Sequence, residues 1–149
     1  MSNSARRLLI ACVIDVSPST KRAENSENKS ANELINKHIK MFIKQLLANP
    51  KIKTAAEVCF VTYSTNVSVT DFTPLKKYEN NVPEFKAVES GGTRTFSAIN
   101  AAYDAIHNRA AKITSHSAVS CGMYTSVMFL LTDGDDSMHD DDEYRKGSR

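Results

Sequence analysis

Leu8-Leu9-Ile10-Ala11-Cys12-Val13-Ile14-Asp15-Val16-Ser17-Pro18-Ser19-Thr20 is the stretch that organises the chain. Its apolar half has no alternation, the pattern of a strand covered on both faces. Its polar half is a loop rich in carboxylate and hydroxyl groups. Arg6-Arg7 ahead of the run imitates the start of an export signal. The apolar part ends at Asp15 without a small-x-small cleavage site, so it reads as a first strand.

Outward from there, Lys21 to Lys29 is highly polar, and Ser30 with Glu33 three residues on forms a capping box. Leu34, Ile35, Ile39, Phe42, Ile43, Leu46 and Leu47 keep helical spacing, with Lys37, Lys40 and Lys44 on the other side. Asn49-Pro50 stops that helix. Val58 to Tyr63 reads as a second covered strand. Val67, Val69 and Asp71 to Phe72 read as a third, shorter one, joined to the second by a tight antiparallel link at Ser64-Thr65-Asn66. Residues 73–90 are irregular, with room for one short helix. Gly91-Gly92-Thr93-Arg94-Thr95 then feeds a helix with Ile99, Ala102, Tyr103, Ile106 and Ala110 on its inner face. A Ser-rich connection, Thr114 to Gly122, leads to a fourth strand, Val127 to Leu131, which ends in Thr132-Asp133-Gly134. The order β-α-β-β-α-β predicts an α/β fold, a doubly wound and mostly parallel sheet with one antiparallel edge strand.

The chain has 149 residues, 41% hydrophobic and 24% charged, with a net charge of +2. That length suits one domain with its own core, and the balance is that of a globular chain rather than a disordered one. The near-neutral charge supplies no general field for nucleic acid or anionic lipid. No apolar run approaches the roughly 18 residues of a membrane helix. Cys12, Cys59 and Cys121 form no CxxC and no zinc spacing. Cys12 and Cys59 fall in strand-like runs as small buried hydrophobes, and a reduced, cytoplasmic setting is the simplest account.

Ligand sites in doubly wound sheets gather outside the carboxyl ends of the strands. Three polar loops meet that edge, and they supply Asp15, Ser17 and Ser19, then Thr93, then Asp133. All are oxygen donors, a set that selects a hard cation (Mg²⁺ or Mn²⁺, with Ca²⁺ admitted) over zinc or copper. Only two carboxylates face the ion, which leaves it electrophilic and able to accept a carboxylate from another molecule. Thr95 competes with Thr93 on position alone. His38, His107, His116 and His139 have no ligand spacing. A calcium-loop reading from Asp133 fails, because Met138 stands where that loop needs Gly and Tyr144 where it needs Glu.

Asp15-Val16-Ser17-Pro18-Ser19, Gly91-Gly92-Thr93-Arg94-Thr95 and Leu131-Thr132-Asp133-Gly134 together resemble the metal-ion-dependent adhesion site of the von Willebrand factor A domain. That family's pattern is D-x-S-x-S, then a Thr, then an Asp in a T-D-G turn. The bacterial tellurite-resistance TerY-like branch is the most similar in its Gly-Gly-Thr and Leu-Leu-Thr-Asp-Gly stretches. The resemblance spans about residues 8–136 of a single domain over 1–149. It implies a non-enzymatic domain with Asp15, Ser17, Ser19, Thr93 and Asp133 around one Mg²⁺ or Mn²⁺, Asp133 directly or through water. An acidic side chain of a protein partner would complete the shell, in a stress or tellurite-resistance-type system. It selects Thr93 over Thr95, which is left to cap the following helix.

Pro18 departs from the family's usual Gly, and Thr20 from a frequent Met. Few residues follow Asp136, so the family's later helix and strand pairs are expected to be lacking, and the fourth strand becomes a bare edge. A metal-independent interaction domain using that edge is the main rival. A haloacid-dehalogenase-like phosphatase, with Asp15 as nucleophile and Asp133, Asp135 or Asp136 on Mg²⁺, would need a second aspartate where Ser17 stands.

Overall fold

A computed structural model describes residues 6–22, 29–115 and 124–132. The first apolar run is β1 (Arg7–Asp15), and six consecutive residues, Leu9 to Ile14, are at most 1% exposed. It pairs in parallel with β2 (Ala56–Tyr63) on one side and β5 (Tyr124–Leu131) on the other. The antiparallel edge is β3 (Val67–Val69), giving the order β3-β2-β1-β5, and β4 (Thr73–Pro74) also pairs with β2.

Because side chains alternate along a strand, β1 feeds two cores. Ile10, Cys12 and Ile14 pack with Val58 and Phe60 under Ile35, Ile39 and Ile43 of α2 (Ala31–Leu47). Leu9, Ala11 and Val13 pack with Cys59, Val61 and Tyr63 under Ala98, Ala102, Ile106 and Ala110 of α4 (Thr95–Ser115). Helices therefore cover both faces, and the doubly wound, mostly parallel α/β sheet expected from the sequence is the observed one. Burial pushes the Cys12 and Cys59 thiols up to about 12, the reverse of a reactive cysteine.

Local details depart from the sequence reading. The polar loop after β1 is shorter than expected, because Pro18 opens a helical turn, α1 (Pro18–Arg22); a fixed φ and a missing N–H suit Pro to that first position. Asn49-Pro50 ends α2 but also starts α3 (Pro50–Ala55), with the Asn49 side chain accepting from the Lys51 and Ile52 amides at 3.0 and 3.3 Å. Asp71 and Phe72 are not in a strand. Between the pairs Val61↔Val69 and Val58↔Thr73, β2 advances three residues while its partner advances four. The extra residue is a bulge, and Thr70 bonds Phe60 through both its amide and its hydroxyl there.

On α4 the inner face is Ala98, Ala102, Ile106 and Ala110, whereas Tyr103 is 59% exposed. Alanine at three of these four positions lets the helix lie close to the sheet and leaves the bulky tyrosine outward. Thr95 is the first residue inside α4, and Arg94 stands before it, its carbonyl accepting from the Ala98 amide at 3.1 Å. β5 ends the strand order, and its Phe129 and Leu130 are 38% and 44% exposed. Phe129 packs edge-on against Phe42, ring centres 4.4 Å apart.

Glu57, at the edge of the sheet opposite the loops, is 3% exposed and accepts from two guanidinium groups. Arg109 Nε and Nη2 reach its two oxygens at 2.7 and 2.9 Å, and Arg7 bonds it too. Burial alone would push its carboxyl up, but Arg109 and Arg7 outweigh that and hold it below the usual carboxylate value. The same pair raises the Arg109 guanidinium, chiefly through its hydrogen bonds to Glu57.

Candidate metal centre

The crevice forms where β1 and β2 end side by side, Asp15 in register with Tyr63. Asp15 is fully buried, and a buried carboxylate must be compensated by donors or charge. The loop it begins supplies them. The Ser17 amide and hydroxyl donate to Asp15 Oδ1 at 2.8 and 2.5 Å. Ser17 Oγ and Ser19 Oγ are 3.0 Å apart. Since the one Ser17 proton is committed to Asp15, Ser19 is the donor in that contact, and the chain of bonds runs Ser19 to Ser17 to Asp15. The Thr20 hydroxyl and amide both return to the Ser17 carbonyl, at 2.7 and 3.0 Å, which closes the α1 turn under the cluster. Ser17 is buried and Ser19 half-buried, so the row opens to solvent at Ser19.

Thr93 comes to the same edge by a different route. The irregular segment after the Leu75–Tyr78 turn is pinned to α2 by Asn36. The Asn36 side chain donates to the Phe85 carbonyl and accepts from the Phe85 amide, both at 2.7 Å, imitating one rung of a sheet. Val88 then bonds the Val16 carbonyl at 2.8 Å, alongside the end of β1. Lys21 of α1 bridges to Glu89 at 2.6 Å and holds that carboxyl below its usual value through the hydrogen bond. Gly92 donates to Thr65 Oγ1 at 2.7 Å and Arg94 to the Ser64 carbonyl at 3.0 Å. Thr93, 1% exposed, is therefore clamped between two bonds to the residues that follow β2. Gly91 has φ +122°, and a Cβ there would stand 2.5 Å from Thr65 Oγ1, so the turn requires glycine.

The structure thus gathers Asp15, Ser17 and Ser19 into one hydrogen-bonded row and seats the Thr93 loop at the adjoining strand end. Asp133 lies outside the described residues, as do Asp135, Asp136, Cys121, His116 and His139. The preceding residue is described, and its role was not read from the sequence. Thr132 Oγ1 donates to Asp15 Oδ2 at 2.9 Å, because Ile14 pairs with Leu131 and the next residues along come opposite each other. Asn36 and Thr65, which position the Thr93 segment, were also missed. A polar residue in the middle of a helix's apolar stripe was the available signal for Asn36.

The sequence matches the model of the von Willebrand factor type A domain family over residues 10–148, and the chain belongs to that family. No match is found among curated protein sequences. Of solved structures, the PilB minor pilin from Streptococcus sanguinis superposes with a TM-score of 0.63 at 16% identity, over 90% of this chain and 31% of that one. The vWF domain of the type V pili tip protein Mfa5 from Porphyromonas gingivalis gives 0.51 at 18%, over 89% of this chain and 39% of that one. The chain spans less than half the length of either structure, and at such identities the likeness is one of fold. No helix among the described residues is long and apolar enough to cross a membrane.

Proposed function

We propose that this domain is a divalent-cation-dependent protein-binding module. Asp15, Ser17, Ser19, Thr93 and Asp133 hold one Mg²⁺ or Mn²⁺, and an acidic side chain of a protein partner completes the shell. The observation that carries this reading is the Asp15–Ser17–Ser19 row at the carboxyl edge of the parallel strands. Its donors are all oxygen, the chemistry a hard cation prefers. The 3.0 Å between the two serine oxygens equals the edge of an octahedron with bonds of about 2.1 Å, which is about 3.0 Å. The 2.5 Å contact of Ser17 with Asp15 is shorter than that edge, so Asp15 and Ser17 ligate side by side only if this bond lengthens. Otherwise Asp15 acts through an intervening water.

Capturing a carboxylate asks for no base or nucleophile, and the module is read as an interaction domain and not an enzyme. Its proposed setting is the cytoplasm, in a stress or tellurite-resistance-type system, on the likeness of its loops, its few cysteines and the burial of Cys12 and Cys59. The test is capture of binding proteins from a lysate of the source cells on immobilised domain with Mg²⁺, with EDTA, and with Asp15→Ala. Capture that needs both the metal and Asp15 supports the reading. Capture indifferent to EDTA and to Asp15→Ala overturns it in favour of a metal-independent surface such as the β5 side, where Phe129 and Leu130 are exposed.

A further inference from the structure

We infer that Thr132 is a positioning residue of this site, holding the Asp15 carboxylate in the plane that the Ser17–Ser19 row requires; the inference rests on the metal reading above. A carboxylate anchored through one oxygen can still turn about its Cβ–Cγ bond. Asp15 Oδ1 is anchored from within its own loop by the Ser17 amide and hydroxyl. Oδ2 is anchored from the residue just past β5, 117 positions on in the chain, by the Thr132 hydroxyl at 2.9 Å. With both oxygens tied, the orientation of the carboxylate is set by the β1–β5 register rather than by the loop alone. Thr132 is exposed overall, so its hydroxyl is not there to fill a core. It stands at the point where the chain leaves β5 for Asp133, so one bond links the first and third pieces of the site. Hydrogen-bond partners that orient a metal's ligands change metal affinity by roughly 10- to 100-fold when removed.

The experiment compares Mn²⁺ binding, followed by the loss of free-ion electron paramagnetic resonance signal, in the wild-type chain and three variants. Thr132→Val keeps the shape and removes the hydroxyl. Thr132→Ala removes it without added apolar bulk. Thr132→Ser retains it. The expected result is a 10- to 100-fold weaker Mn²⁺ affinity for Thr132→Val and Thr132→Ala, with near-wild-type affinity restored in Thr132→Ser. Thermal melts without metal identify the folded variants, and a purely structural role would lower those melts while leaving the affinity of the folded protein unchanged. Wild-type binding matched by Thr132→Val or Thr132→Ala overturns the role of Thr132 and leaves the metal reading standing. Absence of Mn²⁺ binding by the wild-type chain overturns the metal reading and the inference with it.

Discussion

Removing Arg109 should cost the fold more than neutralising Glu57, although the two face each other in one ion cluster. The reason is where each charge is left. In Arg109→Met the Glu57 carboxylate, 4% exposed, keeps Arg7 as its one cation among the described residues, and that side chain is itself 46% exposed. In Glu57→Gln the two arginines, 32% and 46% exposed, turn to water. Breaking a buried ion pair from one side costs about 3–5 kcal/mol when the remaining charge is trapped. Screening of the half-exposed Arg7 and the partly exposed Arg109 reduces this to about 2–3 kcal/mol for Arg109→Met. Glu57→Gln loses the charge-assisted part of its hydrogen bonds, about 1 kcal/mol. For a chain of this size each kcal/mol lowers Tm by about 2–4 °C, so calorimetry should show a fall of about 4–12 °C against about 2–4 °C. The pH dependence gives a second check. In the wild type Glu57 is held below its ordinary carboxylate value of 4.5, so its stabilisation is present above that value and is lost as pH falls through the folded-state pKa. In Arg109→Met burial acts with less opposition, the folded form takes up its proton more readily, and the gap between the two proteins narrows from pH 7 to pH 4. Equal losses for the two variants, or a gap that stays constant with pH, would refute the reasoning.

Gly91→Ala forces a side chain into a φ of +122° and against Thr65 Oγ1; a loss of about 1–3 kcal/mol is expected, with weaker Mn²⁺ binding as the Thr93 loop shifts. Adding Thr65→Ala should recover part of the stability, and no recovery would place the cost in φ alone. Ile43→Ala empties a fully buried position under α2 and should cost about 2–5 kcal/mol by urea titration. Mg²⁺ at 100 times its dissociation constant should stabilise the wild-type domain by about 2.7 kcal/mol, an increment abolished by EDTA and absent from Asp15→Ala.

What could be read from sequence was whatever is local or periodic. Leu8 to Ile14 announced a strand buried on both faces, and Ser30 with Glu33 announced the start of α2, where the Glu33 amide does bond Ser30 Oγ at 3.2 Å. The grouping of Asp15, Ser17 and Ser19 follows from their own spacing. What stayed hidden depends on contacts distant in the chain. Asn36 stands out as a polar residue in the apolar stripe of α2, but nothing near it in sequence names Phe85, 49 residues on, as its backbone partner. Tyr103 keeps inner-face spacing, yet the alanines of α4 leave it no room. The bond from Thr132 to Asp15 exists only once β5 has chosen β1 as its neighbour.

The central place of β1 has a consequence in time. Its amides are paired on both sides and sealed under two helices, so they should exchange with solvent only when the whole domain opens. Asp15 closes that strand and shares its slow clock. Thr93, by contrast, is fastened through the Gly92 and Arg94 amides to the residues after β2, bonds that a local opening can release. Hydrogen exchange should therefore divide the site into a static half and a half that breathes, and any response to an arriving partner would be heard first at Gly92 and Arg94.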